Sequence, residues 1–157
     1  MPHIHEKIDF TVEVFIVYKN KVLLRMHDKH KIWLSVGGHI ELDEDPVQAA
    51  IREVKEEVGL DINIAGEALG PLNGKPSNRG YSYLIPPKYL GRHPVSTNHE
   101  HIALVYFATS DSDVITESKN DHERSVSKWV TKDELNSMNL VPNVLFYATE
   151  ALKELGK

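Results

Sequence analysis

The 157-residue chain has no cysteine, no excess of positive charge and no long apolar run. Without cysteine, disulfide bonds, thiolate catalysis and cysteine-ligated zinc are excluded. The formal net charge of −5 argues against general nucleic-acid binding, because affinity for polyphosphate backbones comes mainly from lysine and arginine. No stretch reaches the ~18 apolar residues of a membrane span, and the N-terminus lacks the apolar run of a signal peptide. We therefore expect a cytoplasmic protein with no membrane partner.

What the chain does contain is enough to build one globular domain. Its apolar share of 41% and charged share of 26% are ordinary for a soluble protein. A chain of this length can bury about two thirds of the surface that its unfolded form exposes. We expect residues 1–157 to form a single domain.

Several segments are rich in β-branched and aromatic residues, which is typical of strands. Residues 10–18 and 22–26 predict two strands joined by a tight polar turn. Residues 71–100 hold five of the eight prolines and predict long shaped loops around a short strand. Further strands are predicted at 61–69, 80–85, 101–109 and 125–130.

A helix is predicted from Pro46 to Gly59. Asp45 can cap the free amides of the first turn, and Pro46 fits that turn because its missing N–H is not needed there. Gly37 and Gly38 are expected to lie in a loop before this helix. The apolar stripe that should pack against a sheet consists of Val47, Ile51, Val54 and Val58.

Two more helices are predicted near the C-terminus. Residues 131–134 read Thr-Lys-Asp-Glu, which has the form of a capping box that opens a short helix. Val141 and Pro142 begin a last helix that runs to about Leu155.

Residues 38–60 carry a regular arrangement of glycine, glutamate and arginine. The arrangement is G-x5-E-x7-R-E-U-x-E-E-x-G-U, where U is an apolar residue supplied by Val54 and Leu60. Its specified positions are Gly38, Glu44, Arg52, Glu53, Glu56, Glu57 and Gly59.

Three of these glutamates should converge on one side of the helix. Glu53, Glu56 and Glu57 stand at i, i+3 and i+4, and of the nearby cations only Arg52 is placed to offset their repulsion. A bound cation removes that repulsion, and hard oxygen donors suit Mg²⁺, with Mn²⁺ as a substitute. Such ions would neutralise a diphosphate, polarise the phosphorus and activate a water molecule. A merely solvated acidic face is the alternative, but it does not require the glycine pair before the helix.

The arrangement resembles the Nudix box, and every specified position matches. The resemblance implies an α/β fold, namely an α/β/α sandwich with a mixed β-sheet. It also implies a metal-dependent pyrophosphohydrolase that cleaves a phosphoanhydride bond in a nucleoside diphosphate linked to another moiety. Carried over by position, the implied metal ligands are Glu53, Glu56, Glu57 and the Gly37 carbonyl, and the residues that orient them are Arg52 and Glu44.

The general base of such an enzyme differs among members of the family. Glu53 is the first choice here, as a glutamate inside the box. The candidates outside the box are Glu100, Glu117, Asp121 and Glu123.

The substrate is less defined by the sequence than the reaction. Nucleoside triphosphates and nucleotide sugars are equally favoured, as small nucleotide partners rather than nucleic-acid polymers. Trp33 could stack on a base or pack in the core, and for Tyr81 and Tyr83 strand packing is favoured. Further candidate substrate contacts are Arg79, Arg92 and Glu100, although scattered surface cations are the commoner explanation for the arginines.

His99 and His101 flank Glu100 and should face the same side of a strand. This pair can be interpreted as part of a metal site or as two polar residues at a strand entrance. The second interpretation is favoured, because no third ligand is close in the sequence.

A different class of function remains open beside the enzyme. Nudix folds also serve as non-catalytic modules that sense nucleotides or nucleotide sugars, and such modules often lose box glutamates. This chain keeps all of them, which favours the enzyme. The oligomeric state is left open between a monomer and a homodimer.

Overall fold

The computed structural model describes residues 6–27, 29–117 and 126–157. The helices of this part of the chain are α1 (Pro46–Val58), α2 (Lys132–Ser137) and α3 (Pro142–Leu155), with a short 3-10 helix at Pro71–Gly74. The strands are β1 (Ile8–Tyr18), β2 (Lys21–His27), β3 (Ile32–Leu34), β4 (Val36–His39), β5 (Ile62–Ile64), β6 (Tyr89–Ser96), β7 (His99–Ser110) and β8 (Ser127–Thr131).

The strands join in one mixed sheet. Its main order is β3-β2-β1-β7-β5, while β4 pairs with β1, β6 with β7 and β8 with β2. Strands β1 and β7 run parallel from the pair Ile8↔Glu100 to the pair Val17↔Thr109, and the other pairs are antiparallel. This long parallel pair places residues from distant parts of the chain side by side.

Helices cover both faces of the sheet, because β1 contributes alternate side chains to two separate cores. Val12, Val14 and Ile16 belong to the core that includes residues of α1. Phe15 and Val17 belong to the core that includes residues of α2 and α3. The predicted α/β/α sandwich with a mixed sheet is therefore confirmed.

The predicted ends of α1 are confirmed by their hydrogen bonds. Asp45 Oδ1 accepts from the backbone N–H groups of Val47 at 2.8 Å and Gln48 at 2.9 Å, and Gln48 Oε1 accepts from the Asp45 N–H at 2.9 Å. Gly59 follows the helix with φ of +71°, a left-handed conformation that favours glycine. These caps fix which turn of the helix carries the three glutamates.

The predicted apolar stripe of α1 is wrong at one position. Ile51 is 46% exposed, whereas Ala50, Val54 and Val58 are fully buried. Ile51 lies at the edge of the stripe, and the smaller Ala50 on its other edge lets the helix approach the sheet closely. Val47 is partly buried against the same core.

Gly37 and Gly38 lie in strand β4 and not in a loop, as the sequence had suggested. They pair with Glu13 and Val12 of β1 in an antiparallel register. The backbone pairing with a central strand outweighs the low strand preference of glycine. The carboxylates of α1 consequently face an ordered strand.

Two other strand predictions require correction, and one strand was not predicted. Residues 80–85 form no strand, and Tyr83 instead packs so closely on Gly70 that a Cβ there would overlap its ring. The strand predicted at 61–69 is limited to Ile62–Ile64. Strand β6 was not predicted, because Gly91 and Pro94 are poor strand residues; Pro94 borders a register shift, where proline is tolerated.

The C-terminal predictions agree with the structure. Thr131 Oγ1 accepts from the Glu134 N–H at 3.3 Å, and Glu134 Oε2 accepts from the Thr131 N–H at 2.8 Å. Helix α3 begins at Pro142 and ends at Leu155, as predicted. The strand predicted at 125–130 is observed at Ser127–Thr131, and residue 125 lies outside the described residues. Among the described helices, none has the length and apolar character needed to cross a membrane.

Candidate active site

The glutamates of α1 contact the backbone of β4. The Gly37 N–H donates to Glu57 Oε2 at 3.3 Å. Gly38 lies so close to Glu53 that a Cβ at this position would overlap the Glu53 carboxylate. Only glycine leaves room for a carboxylate here, which explains why the pattern specifies glycine at position 38.

One guanidinium group holds three carboxylates. Arg52 Nε and Nη2 donate to the two oxygens of Glu44 at 2.9 and 2.6 Å, a bidentate pair with strong orientation. Arg52 Nη1 donates to Glu53 Oε1 at 3.0 Å and to Glu56 Oε2 at 3.1 Å. The same guanidinium donates to the His39 carbonyl at 3.0 Å through Nη2, which ties α1 to the end of β4.

Glu44 is in turn fixed from its other side. Its Oε1 accepts from the Glu41 N–H at 2.9 Å. The hydrogen bonds from Arg52 hold the pKa of Glu44 below its usual value. Glu44 therefore stays charged and supports Arg52, which orients Glu53 and Glu56.

A second arginine, Arg25 on β2, was missed by the sequence analysis. Its Nη1 lies 3.0 Å from Glu57 Oε1, and the two side chains are only 14% and 19% exposed. Arg25 Nε is buried without a hydrogen-bond partner in the described part of the chain. The sequence feature that could have indicated Arg25 is its place as a lone cation in the otherwise apolar run Val22–Met26. We call Glu53, Glu56, Glu57 and their partners Arg25 and Arg52 the carboxylate centre.

The carboxylates of this centre differ in their surroundings. The Glu56 side chain is 62% exposed, whereas that of Glu53 is only 14% exposed. Burial raises the pKa of Glu53, and the hydrogen bond from Arg52 only partly opposes this shift. Glu53 is thus the least exposed of the three glutamates.

The residues of the carboxylate centre fit a divalent cation of the Mg²⁺ type. Glu53 and Glu56 share one nitrogen of Arg52, so their oxygens are already close together. Mg²⁺ prefers carboxylate oxygens and keeps part of its water shell, which an exposed edge such as that of Glu56 permits. The donor set contains no nitrogen or sulfur ligand that would favour a softer ion.

The other predicted substrate contacts are spread over the sheet and its loops. Trp33 packs against the core next to α3. Arg79 is exposed in the proline-rich loop, where its N–H lies 3.4 Å from Ser77 Oγ. Arg92 Nη2 and Glu100 Oε2 form an ion pair at 2.6 Å. Neither Tyr81 nor Tyr83 lies in a strand, and their rings contact each other edge to face at 5.0 Å.

The candidate bases outside the box lie in different settings. Glu100 is bound by Arg92 and also by Lys7 at 3.4 Å, and these cations keep its pKa below the usual value. Glu117 is exposed at the end of a described segment. Asp121 and Glu123 lie outside the described residues.

A pocket of about 820 Å³ opens on the α3 side of the sheet, next to β4. Its wall includes Gly37 and Gly38 of β4. The pocket and the carboxylates of α1 therefore approach the same strand from opposite faces of the sheet. Glu13 also lines the pocket, and burial raises the pKa of its carboxyl group. The remaining wall is mixed, with apolar Leu34 and Val144 among its residues.

His99 and His101 are not an isolated polar pair. Asp9 Oδ2 lies 3.1 Å from His99 Nε2 and 3.6 Å from His39 Nε2. The preference for a simple strand entrance rested on the lack of a third ligand nearby in the sequence. The pairing of the strands brings two further candidate ligands to this pair, Asp9 of β1 and His39 of β4.

Comparison with known proteins identifies the family of this chain. The family model of the NUDIX domain matches residues 9–149. The chain belongs to the Nudix hydrolase family. A solved structure of a NUDIX-family hydrolase from Clostridium perfringens is 41% identical, with a TM-score of 0.83, and the match covers 94% of this chain and 97% of the other.

Two curated Nudix relatives are similar over shorter stretches. The dihydroneopterin triphosphate diphosphatase of Haemophilus influenzae is 44% identical over 63 residues, which is 40% of this chain and 40% of the relative. The CTP pyrophosphohydrolase of Escherichia coli is 29% identical over 108 residues, which is 64% of this chain and 76% of the relative. In the first curated relatives the match spans 40% or less of their length.

Proposed function

We propose that this Nudix protein is a metal-dependent pyrophosphohydrolase that cleaves a phosphoanhydride bond in a small nucleotide. The observation that carries the proposal is the gathering of Glu53, Glu56 and Glu57 beside the backbone of β4, under the control of two arginines. Such a concentration of carboxylates is unfavourable by itself and becomes favourable around a cation. A solvated helix face would not require the two arginines.

The proposed metal ligands are Glu53, Glu56 and Glu57, with the Gly37 carbonyl as a further ligand. A bound Mg²⁺ or Mn²⁺ ion supplies the positive charge that offsets the phosphates and increases the acidity of water. The chain's own task is to hold these donors in place. Arg52 does so for Glu53 and Glu56.

Arg25 and Glu44 are proposed as positioning residues. Arg25 holds Glu57 from the sheet side, while Glu44 supports Arg52 with a bidentate contact. Partners that orient metal ligands commonly contribute 10–100-fold, or about 1.4–2.7 kcal/mol, to affinity or activity. Their loss should therefore weaken the site without abolishing the fold.

Glu53 is proposed as the general base that accepts a proton from the attacking water. Its side chain is only 14% exposed, is held by Arg52 and lies against Gly38, so that it has a fixed position inside the carboxylate centre. Glu100 is a weaker candidate, because Arg92 and Lys7 stabilise its charged form.

A nucleoside triphosphate is the proposed substrate, ahead of a nucleotide sugar or a nucleic-acid polymer. The names of both curated relatives described above contain a triphosphate, which is dihydroneopterin triphosphate in one and CTP in the other. The pocket beside Gly37 and Gly38 is large enough for a base and sugar. Glu13 would accept a hydrogen bond from an exocyclic amino group of the base.

The test is a substrate panel with the purified full chain. Nucleoside triphosphates, nucleotide sugars, dinucleoside polyphosphates and capped RNA would be incubated with Mg²⁺ or with chelator, and products identified by phosphorus NMR. We expect Mg²⁺-dependent release of pyrophosphate from at least one triphosphate. Glu56→Gln should lower the rate by about 10³-fold, because it removes a charged ligand.

A matched control is Glu67→Gln, which changes an exposed glutamate in the loop after β5. This variant should keep the rate of the parent protein. Absence of metal-dependent turnover across the panel would contradict the proposal. Thermal stabilisation by a nucleotide that is never hydrolysed would instead favour the sensing module.

A further inference from the structure

Four side chains from three neighbouring strands gather on the α3 side of the sheet. We call Asp9, His39, His99 and His101 the histidine cluster. Asp9 of β1 stands opposite His101 in the parallel register with β7, and His39 ends the strand β4 that pairs with β1. Because side chains alternate along a strand, His99 and His101 face the same side. One ligand atom from each of the four residues lies within 4.8 Å of the others.

Three distances within the cluster are close to those between ligand atoms around one small metal ion. His99 Nε2 lies 3.1 Å from His101 Nε2 and 3.1 Å from Asp9 Oδ2. The distance from His39 Nε2 to Asp9 Oδ2 is 3.6 Å. Tetrahedral zinc with bonds of ~2.0–2.1 Å separates its ligand atoms by roughly 3.3 Å. The observed distances lie on both sides of this value.

We propose that the histidine cluster binds a transition-metal ion, with Zn²⁺ as the best match. Three imidazole nitrogens and one carboxylate oxygen form a donor set that suits zinc and is poor for Mg²⁺, which prefers oxygen alone. Four protein ligands fill a tetrahedral shell and leave no open position, so the site is structural. The ion would tie β1, β4 and β7 together at one end of the pocket that His39 and His101 line.

The charge of the donor set suits this assignment. Asp9 supplies the one negative charge of the set, which leaves the zinc site with a net charge of about +1.

A metal-free network is the competing explanation for the same contacts. Asp9 can form ion pairs with His39 and His99, and His99 can share a hydrogen bond with His101. In that network the single Nε2 atom of His99 must serve both Asp9 Oδ2 and His101 Nε2, whereas a single ion satisfies all four ligands at once. The two explanations differ in zinc content, which can be measured directly.

The experiment titrates Zn²⁺ alone into the chelator-treated full chain, in the presence of excess Mg²⁺ to occupy the carboxylate centre. Calorimetry and metal analysis should give one zinc per chain, and the melting temperature should rise on binding. His101→Ala should weaken zinc binding by about 100-fold or more, since it removes a ligand. Substitution by Co²⁺ should give the strong visible absorption of a tetrahedral site.

Three further variants make the outcome decisive. His93→Ala is the matched control, because His93 contacts His101 edge to face at 5.3 Å but is not a member of the cluster. This variant and Glu56→Gln should keep the zinc stoichiometry and affinity. His39→Asn changes a half-exposed ligand at a strand end and serves if His101→Ala does not fold. Zinc content near zero would overturn the proposal. Zinc binding that His39→Asn leaves intact would also overturn it, and so would the loss of zinc binding in Glu56→Gln.

Discussion

The carboxylate centre and the histidine cluster use the same short strand in different ways. Gly37 and Gly38 bring the backbone of β4 to the glutamates of α1, while the next residue, His39, joins the cluster on the other face. The glutamates are gathered under two arginines, because like charges need cations to approach one another. Imidazole rings carry no negative charge and need no such compensation. The two sites therefore differ in the ions they suit and in the residues that must support them.

The two sites also depend on different elements of secondary structure. The glutamates are all on α1, whose position relative to β4 is set by its caps and by Arg52. The histidine cluster lies on strands that pair with one another at the centre of the sheet. Changes to the helix should consequently affect the carboxylate centre and spare the cluster.

The largest effect is expected from Glu57→Gln. The substitution removes a charged donor and the partner of the buried Arg25, so Mg²⁺-dependent turnover should fall by about 10³-fold. Zinc binding by the histidine cluster should remain unchanged. Steady-state kinetics and a zinc titration on the same preparation measure both effects, and equal losses in the two assays would show that the sites are not separate.

Gly38→Ala should have the next largest effect on activity. A Cβ at this position would overlap the Glu53 carboxylate, which can move away because it is the end of a flexible side chain. A displacement of about 1 Å at a reacting group can cost roughly 10²-fold in rate. Turnover should fall by about that factor, while the melting temperature changes little. A variant with the full rate would mean that the position of Glu53 is not critical.

Arg52→Lys tests the positioning role within the carboxylate centre. Lysine keeps the charge but cannot contact Glu44, Glu53 and Glu56 at once, as the planar guanidinium does. We expect activity to fall by about 10–100-fold, with a higher Mg²⁺ concentration needed for half of the maximal rate. If only the maximal rate changed and the Mg²⁺ dependence did not, Arg52 would act on the substrate rather than through the metal ligands.

Local signals account for the parts of the molecule that the sequence predicted correctly. The caps of α1 at Asp45 and Gly59 depend on residues within a few positions of each other, and so does the spacing of the glutamates. The same holds for the alternating apolar positions of β1 that form the two cores. In these segments the local preference and the tertiary packing agree.

Long-range pairing accounts for most of what the sequence did not predict. Arg25 meets Glu57 only because β2 and α1 pack together, and Asp9 meets His101 only through the parallel register of β1 and β7. Strand β6 forms despite the poor strand residues Gly91 and Pro94 because its backbone pairs with β7. Contacts of this kind cannot be predicted from the spacing of residues within a single segment.

The smallest effect is expected from Asp45→Ala, which removes the cap of α1. Asp45 accepts hydrogen bonds from Val47 and Gln48, and loss of such a cap costs about 1 kcal/mol of stability. For a chain of this size the melting temperature should fall by about 3 °C. Asp43→Ala is the matched control, since Asp43 is exposed two residues before the cap and should leave the melting temperature unchanged. Because the cap orients the helix and not the sheet, Mg²⁺ affinity should weaken slightly in Asp45→Ala, while zinc affinity stays constant. A parallel loss of both affinities would mean that α1 and the strands of the histidine cluster move as one unit.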